Sequence, residues 1–181
     1  NHELVATIKE STQLWTPMEP EENPFYFVPV EQIKAMMGTK LAVDDEVFEP
    51  EIVTAIPDSF DSRTQWGSKV HPIRNQGQCG SCWAFGATEA FTDRLSIELG
   101  IDVVLSPQHL VSCDTNNYGC NGGYLNYAWA FMNTKGVVSD ACYPYTSGTS
   151  GQTGTCKTTC ADGSAFKPHH TKGMKHPGSV Q

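Results

Sequence analysis

No stretch of this 181-residue sequence approaches the roughly 20 consecutive apolar residues that a membrane-spanning helix needs, so no such span is expected. There is no cluster of basic residues and the sequence pI is about 5.1, which argues against a nucleic-acid partner. No basic-then-apolar leader precedes Asn1, and the first residue is not Met; the chain reads as a processed or trimmed form, and prior removal of a signal peptide is compatible with that expectation. Asn-x-Ser/Thr sequons and internal repeats are also absent. What is present, 39% hydrophobic residues with 16 glycines and 11 prolines, suits one ordinary globular domain with an extension.

The net charge of −8 is unevenly placed. Residues 1–55 carry three basic residues (Lys9, Lys34, Lys40) against eleven acidic ones, whereas residues 56–181 carry nine of each. This reads either as a solvated acidic face or as a separable segment whose affinity for the rest depends on pH. The seven cysteines allow three pairs and one thiol left over, and an oxidising compartment suits such a count. Zinc is the competing explanation for Cys79-x-x-Cys82 and Cys156-x-x-x-Cys160, but no His lies at ligand spacing.

Local patterns predict helices over HELVATIKES and over Val30–Met37, the latter stopped by Gly38. Between them, Trp15–Pro20 and Asn23-Pro24-Phe25 read as extended chain, and residues 39–55 as an acidic linker. Charge balance, cysteines and glycines all change at Ile56-Pro57-Asp58, which places a boundary near residue 55. A long helix is predicted from Cys82 to about Leu99, with Gly100 as stop and Ala84, Ala87, Phe91 and Leu95 as its apolar stripe. A second starts at Ser106-Pro107, the cap and first-turn residues, and places His109 on its surface. A third covers Tyr124 to Met132; Ser147 to Thr155 reads as loop, and the tail after His169 has no closing element.

Cys82 stands where the glycine-punctuated loop Asn75-Gln76-Gly77-Gln78-Cys79-Gly80-Ser81 enters the long helix. Free N–H groups and the positive end of the dipole at a helix N-terminus favour a thiolate, so a cysteine there is a better nucleophile than one in a core. A thiolate that attacks a carbonyl also needs a base and donors for the developing oxyanion. Gln76 could supply one donor and the Cys82 N–H another, although spacing alone does not separate this from a loop glutamine facing water.

Asn75-Gln76-Gly77, Cys79-Gly80-Ser81-Cys82-Trp83-Ala84-Phe85 and Gly119-Cys120-Asn121-Gly122-Gly123-Tyr124 together resemble the papain family of cysteine proteases. Phe60-Asp61-Ser62-Arg63 with Trp66, and Gly86-Ala87 after the active loop, are most similar to its cathepsin B branch. The resemblance implies an α+β papain-like fold, here mainly the helical lobe, with residues 1–55 as propeptide and residues 56–181 as an incomplete catalytic lobe. It makes Cys82 the nucleophile and Gln76 the oxyanion-hole side chain, with Gly80, Trp83, Gly122, Gly123 and Leu125 contacting substrate. Leu125 stands where the family usually has proline, beside the pocket for the second residue before the scissile bond. The implied bridges are Cys79–Cys120, Cys113–Cys156 and Cys142–Cys160, which leave Cys82 free and disfavour a redox pair at Cys79-x-x-Cys82. The implied partners are peptide or protein substrates and the chain's own propeptide in the cleft. No cofactor is implied, and the compartment would be lysosome-like or extracellular, reached through the secretory pathway.

Two departures from the family pattern matter. The branch's occluding loop, with its paired histidines, should lie between Cys142 and Cys156, where only thirteen residues stand and none is His. An open cleft and endopeptidase action follow as expectations, since His169-His170 come after Cys160. The catalytic His and its orienting Asn belong to the family's second, strand-rich lobe, and no histidine here has a matching context. The expectation is a zymogen whose second lobe is a separate chain; the alternative is a non-catalytic papain-fold component. For the zymogen, acid would weaken contacts made by the acidic propeptide.

Overall fold

The computed structural model describes residues 2–11, 14–41 and 57–171. The chain divides into two compact units, Asn1–Lys34 and Ala35–Gln181. The boundary expected near residue 55 lies outside the described residues.

In the first unit, helix α1 (His2–Ser11) has Glu3 in its first turn and Lys9 in its last, the favourable order for the helix dipole. Two contacts tie α1 to the following turn: the Lys9–Glu19 ion pair, and His2 Nε2 lying 3.0 Å from Glu21 Oε1. Asn23-Pro24-Phe25 is a turn rather than extended chain. The Asn23 side-chain oxygen accepts from Phe25 N at 2.9 Å, and Tyr26 N donates to Asn23 O at 2.9 Å. An Asx turn of this kind offers the backbone an alternative to extension. Helix α2 (Val30–Met36) runs from this unit into the next.

The second unit is built around helix α4 (Cys82–Leu99), preceded by the short α3 (Ser62–Trp66), whose cap Asp61 accepts from Arg63 N at 2.8 Å. The α4 stripe is buried as its spacing predicts: Ala84, Ala87, Phe91 and Leu95 have at most 3% exposure. It packs against α5 (Pro107–Cys113) and α6 (Leu125–Thr134), with Leu110, Val111, Ala128, Trp129 and Met132 completing one core. Gly100, at φ 67°, closes α4 in the left-handed conformation that glycine adopts without strain. Ser106 caps α5, accepting from His109 N at 3.0 Å. A last short helix, α7 (Ser147–Ser150), stands inside the segment read as loop. Buried Gln108 fixes it, donating to Ser147 Oγ at 2.8 Å and accepting from Ser147 N at 3.0 Å. The chain then returns to the core, where Val137 and His169 exchange backbone hydrogen bonds at 2.8 Å each way. Residues 172–181, the end of the tail read as having no closing element, are outside the described residues.

Thr39–Lys40, read from sequence as part of a linker, instead forms strand β1, paired in parallel with β2 (Gly123–Tyr124) in the register Thr39↔Gly123 and Lys40↔Tyr124. Three disulfides, Cys79–Cys120, Cys113–Cys156 and Cys142–Cys160, staple the loops, and Cys82 is free. They join the same cysteines that the family resemblance pairs. The spacings that suggested zinc therefore offer no set of free thiolates, and Cys79 is bonded to Cys120 rather than to Cys82.

His109 is a correction: it is buried, not on the surface. Its ring lies 5.8 Å from Tyr143, stacked, with Phe131 and Phe166 edge-on at 5.4 and 5.2 Å, and Nδ1 accepts from Val138 N at 3.3 Å. Burial pushes its pKa down to about 4. His71 has the opposite environment, with Nδ1 2.9 Å from Asp93 and Nε2 3.0 Å from Asp102. Burial alone would depress it, but hydrogen bonds and charge from Asp93 and Asp102 outweigh that and hold its pKa above 6.5.

The two histidines therefore give stability opposite pH dependences. His71 binds its proton more tightly in the folded chain, so its contribution is full below about pH 6.5 and is lost as pH rises through the raised value. His109 binds its proton more weakly when folded, so its contribution is full above about pH 6.5 and is lost as pH falls towards 4. In thermal unfolding across pH, His71→Gln is expected to flatten the alkaline decline and His109→Phe the acid one; curves parallel to wild type would show that neither linkage operates. Removing the core ring in Phe91→Ala should cost about 3–5 kcal/mol in urea unfolding.

Candidate active site

Cys82 is the first residue of α4, at the end of a loop fixed on both sides. The Cys79–Cys120 bridge and the Gly80 N–H, which donates to Cys120 O at 3.0 Å, hold the loop to the Gly119–Gly123 turn. Tyr145 holds its other flank, donating to Gln76 O at 2.7 Å while its hydroxyl lies 2.7 Å from Ser81 Oγ. Gly77, at φ 60°, lets the loop pass Gly148 so closely that a Cβ there would lie 2.5 Å from the Gly148 oxygen. The side chain of Gln76 is thereby aimed inward. Its Nε2 donates to Cys79 O at 2.8 Å and to Met36 O at 2.6 Å.

Met36 belongs to a segment that lies directly across Cys82. The Gly38 N–H donates to Cys82 Sγ at 3.1 Å, and Thr39 Oγ1 lies 3.1 Å from the same sulfur. Gly123 N donates to Gly38 O at 2.8 Å, which begins the β1–β2 pairing. The approach is backbone on backbone. A Cβ on Gly38 would fall 1.8 Å from Gly80 O, one on Gly80 would fall 2.5 Å from Cys120 O, and one on Gly122 would fall 2.5 Å from Gly38 O. Chemically, this is a thiol beside an amide donor already engaged with a main-chain carbonyl, at the edge of a short strand that pairs with extended peptide.

Of the residues singled out from sequence, Cys82, Gln76, Gly80, Gly122 and Gly123 are brought together here. Leu125 begins α6 and is 41% exposed. Trp83 is corrected: at 0% exposure it cannot face a substrate. Its Nε1 donates to Gly119 O at 3.1 Å, and its ring lies beneath Gly123, so it holds the cleft wall from behind. Sequence reasoning missed Met36, Gly38, Thr39 and Tyr145. Gly38 was legible only as a helix stop, and Tyr145 offered no signal beyond its place in an irregular aromatic stretch.

Among the described residues no histidine bonds Cys82 Sγ. His71 is engaged by Asp93 and Asp102, His109 is in the core, His169 lies in the backbone bridge to Val137, and His170 Nδ1 is 3.2 Å from Asn133 O. On α4, one Glu89 carboxylate oxygen is buried without a hydrogen-bond partner, and burial raises that group's pKa despite Arg74 nearby.

Residues 56–179 match the family model described as papain family cysteine protease. The chain belongs to the papain family. It is similar to cathepsin B-like CP3 of Giardia intestinalis, with 44% identity over 125 residues, 67% of this chain and 41% of the relative. Its fold matches that of procathepsin B S9 from Trypanosoma congolense at TM-score 0.79 and 23% identity, covering 94% of this chain and 62% of that one. Procathepsin L2 from the Tenebrio molitor larval midgut matches at TM-score 0.68 and 29% identity, over 86% of this chain and 51% of that one. The chain is therefore a cathepsin B-like member with the helical lobe of the papain-like α+β fold, and it spans less than half the length of the Giardia relative.

The glycine contacts make a specific prediction. Gly38→Ala cannot keep its place against Gly80 and should lift the segment from the sulfur, raising the iodoacetamide alkylation rate of Cys82 by about tenfold, the equivalent of one or two hydrogen bonds of about 1 kcal/mol each. An unchanged rate would mean that the segment does not shield the thiol.

Proposed function

We propose that this chain is the zymogen form of a cysteine-type peptidase, in which Cys82 attacks the scissile carbonyl and Gln76 stabilises the resulting oxyanion. The observation that carries this reading is the Gln76 amide donating to a main-chain carbonyl, Met36 O at 2.6 Å, in the segment whose next residues lie on Cys82 Sγ. That carbonyl stands in for a substrate's. Gly123, through its N–H to Gly38 O, is the backbone group that would hold a peptide extended. Residues 1–55 act as the propeptide, crossing the cleft in the direction opposite to substrate.

The base that deprotonates Cys82 and the asparagine that orients it are supplied by a second lobe outside these residues. Support comes from the absence of a histidine at Sγ among the described residues. It comes also from a groove of about 820 Å³ where Ile73 is 98% exposed and Arg74 and Glu89 face inward. An apolar side chain so exposed is a feature that a covering lobe would satisfy. The short Cys142–Cys156 segment supports endopeptidase action through an open cleft. The relatives' class fits passage through the secretory pathway to a lysosome-like or extracellular site, and no helix among the described residues is long and apolar enough to cross a membrane.

Acid would promote release. The Lys9 hydrogen bond and charge hold Glu19 below the ordinary carboxylate value, so the contribution of this pair to the first unit is present above about pH 4.5 and is lost as pH falls through the lowered value. Protein purified from its source, examined by intact mass and N-terminal sequencing, is expected to contain a C-terminal fragment with His and Asn. After acid treatment Cys82 should react with an epoxide probe, and peptides blocked at both ends should be cut internally. Absence of the fragment together with an inert Cys82 would leave the non-catalytic papain-fold component as the reading. Dipeptide release from C-termini as the main activity would overturn the endopeptidase assignment.

A further inference from the structure

The Gln76 loop and the start of α4 are joined by a relay of side-chain hydrogen bonds. The Tyr145 hydroxyl donates to Gln76 O at 2.7 Å and lies 2.7 Å from Oγ of Ser81, the residue before Cys82. A phenol has one proton, and a carbonyl only accepts. The Tyr145 proton is therefore committed to Gln76 O, and the Ser81 hydroxyl is the donor to Tyr145 Oη. Ser81 is 0% exposed, so water cannot replace this partner. At the other end, Gln76 Nε2 has two protons and two acceptors, Cys79 O at 2.8 Å and Met36 O at 2.6 Å. Cys79 O takes one proton and fixes the rotation of the amide, which leaves a single N–H for the carbonyl that lies in the cleft.

Tyr145 is itself immobilised. Its ring packs edge-on against Phe85 of α4 at 4.8 Å. The next two residues donate from Thr146 N and Ser147 N to Oε1 of buried Gln108, at 2.8 and 3.0 Å, and Gly148 O accepts from Gln78 N at 2.8 Å. Burial raises the phenol pKa against the opposing Ser81 hydrogen bond and Arg74 charge, so the hydroxyl remains a donor through the acid and neutral range. We infer that Tyr145, with Ser81, is a positioning residue for the reaction of Cys82: it sets the separation of the Gln76 amide and the start of α4, so that the Gln76 and Cys82 N–H groups meet one oxyanion. Donors held in place before charge develops act on the transition state, so a fault in their spacing falls on kcat rather than on KM. This inference rests on the protease reading of Cys82 and Gln76, and adds a residue that acts only through Gln76 and Ser81.

Two experiments separate positioning from a merely structural role. In the isotope-labelled chain, NMR should show the two Gln76 Nε2 protons at separate shifts and slow to exchange with solvent. Tyr145→Phe should speed that exchange about fivefold, the weight of one hydrogen bond. Tyr143→Phe, which removes a hydroxyl that donates to Thr155 O at 3.0 Å instead, should leave it unchanged. In the protein with its second lobe, Tyr145→Phe should lower kcat about fivefold with KM unchanged, and Ser81→Ala about twofold. Neither should lower kcat further in a Gln76→Ala background. An equal fall in kcat with and without Gln76, a change in KM alone, or unchanged Gln76 exchange in Tyr145→Phe would overturn the proposal; if Tyr145→Phe does not fold, Ser81→Ala supplies the same comparisons. Failure of the protease reading would appear differently, as faster Gln76 exchange in Tyr145→Phe with no peptide cleavage by the unsubstituted two-lobed protein.

Discussion

Everything at the cleft depends on main chain lying against main chain. Gly38 meets Gly80 and Gly122 at distances that leave no room for a Cβ, and only at that separation can the Gly38 N–H reach Cys82 Sγ and its carbonyl reach Gly123 N. The two-residue strand pairing is too short to be stable alone. It persists because both sides are anchored elsewhere: β2 by the Cys79–Cys120 bridge and the Asn117 hydrogen bonds, and the Gly80 side by the same bridge and helix α4.

That arrangement also explains why Trp83 is in the core. A wall made of glycine backbone has no side chains of its own to pack, so rigidity must come from behind it. The buried indole supplies this, with its ring against Gly123 and its N–H satisfied by Gly119 O. Tyr145 has the corresponding role for the Gln76 loop, and burial raises its pKa, which keeps the hydroxyl a donor to Gln76 O. Two histidines among the described residues are spent on structure. His71 clamps Asp93 and Asp102, and His109 is neutral in an aromatic box, so among the described residues the Cys82 sulfur has partners from residues 38 and 39 rather than a histidine.

The helical part of the fold was legible because its signals are local. The α4 stripe, the Ser106-Pro107 start and the Gly100 stop each lie within a turn or two of the residues they specify, and the structure keeps them. Cys82 and Gln76 were singled out through the family motif, since spacing alone left Gln76 open between a donor and a loop residue facing water. The errors came where a distant partner decides: His109 carries no local mark of burial, Trp83 is part of the active-site motif yet turns inward, and Asn23-Pro24-Phe25 was read without its side-chain turn. Thr39–Lys40 were read as linker because two polar residues beside acidic neighbours carry no strand pattern.

By itself the sequence determined the helical lobe, the position of Cys82 at a helix start and one unpaired cysteine among seven. Helix periodicity, caps and cysteine parity are properties of neighbouring residues or of composition. Only the tertiary structure decided what lies on the thiol and in which register. Gly38 and Cys82 are 44 positions apart, and their contact exists because the fold brings two stretches of bare backbone within hydrogen-bonding distance. No local pattern encodes that approach, since glycine marks equally a helix stop, a turn or a surface that another chain must touch.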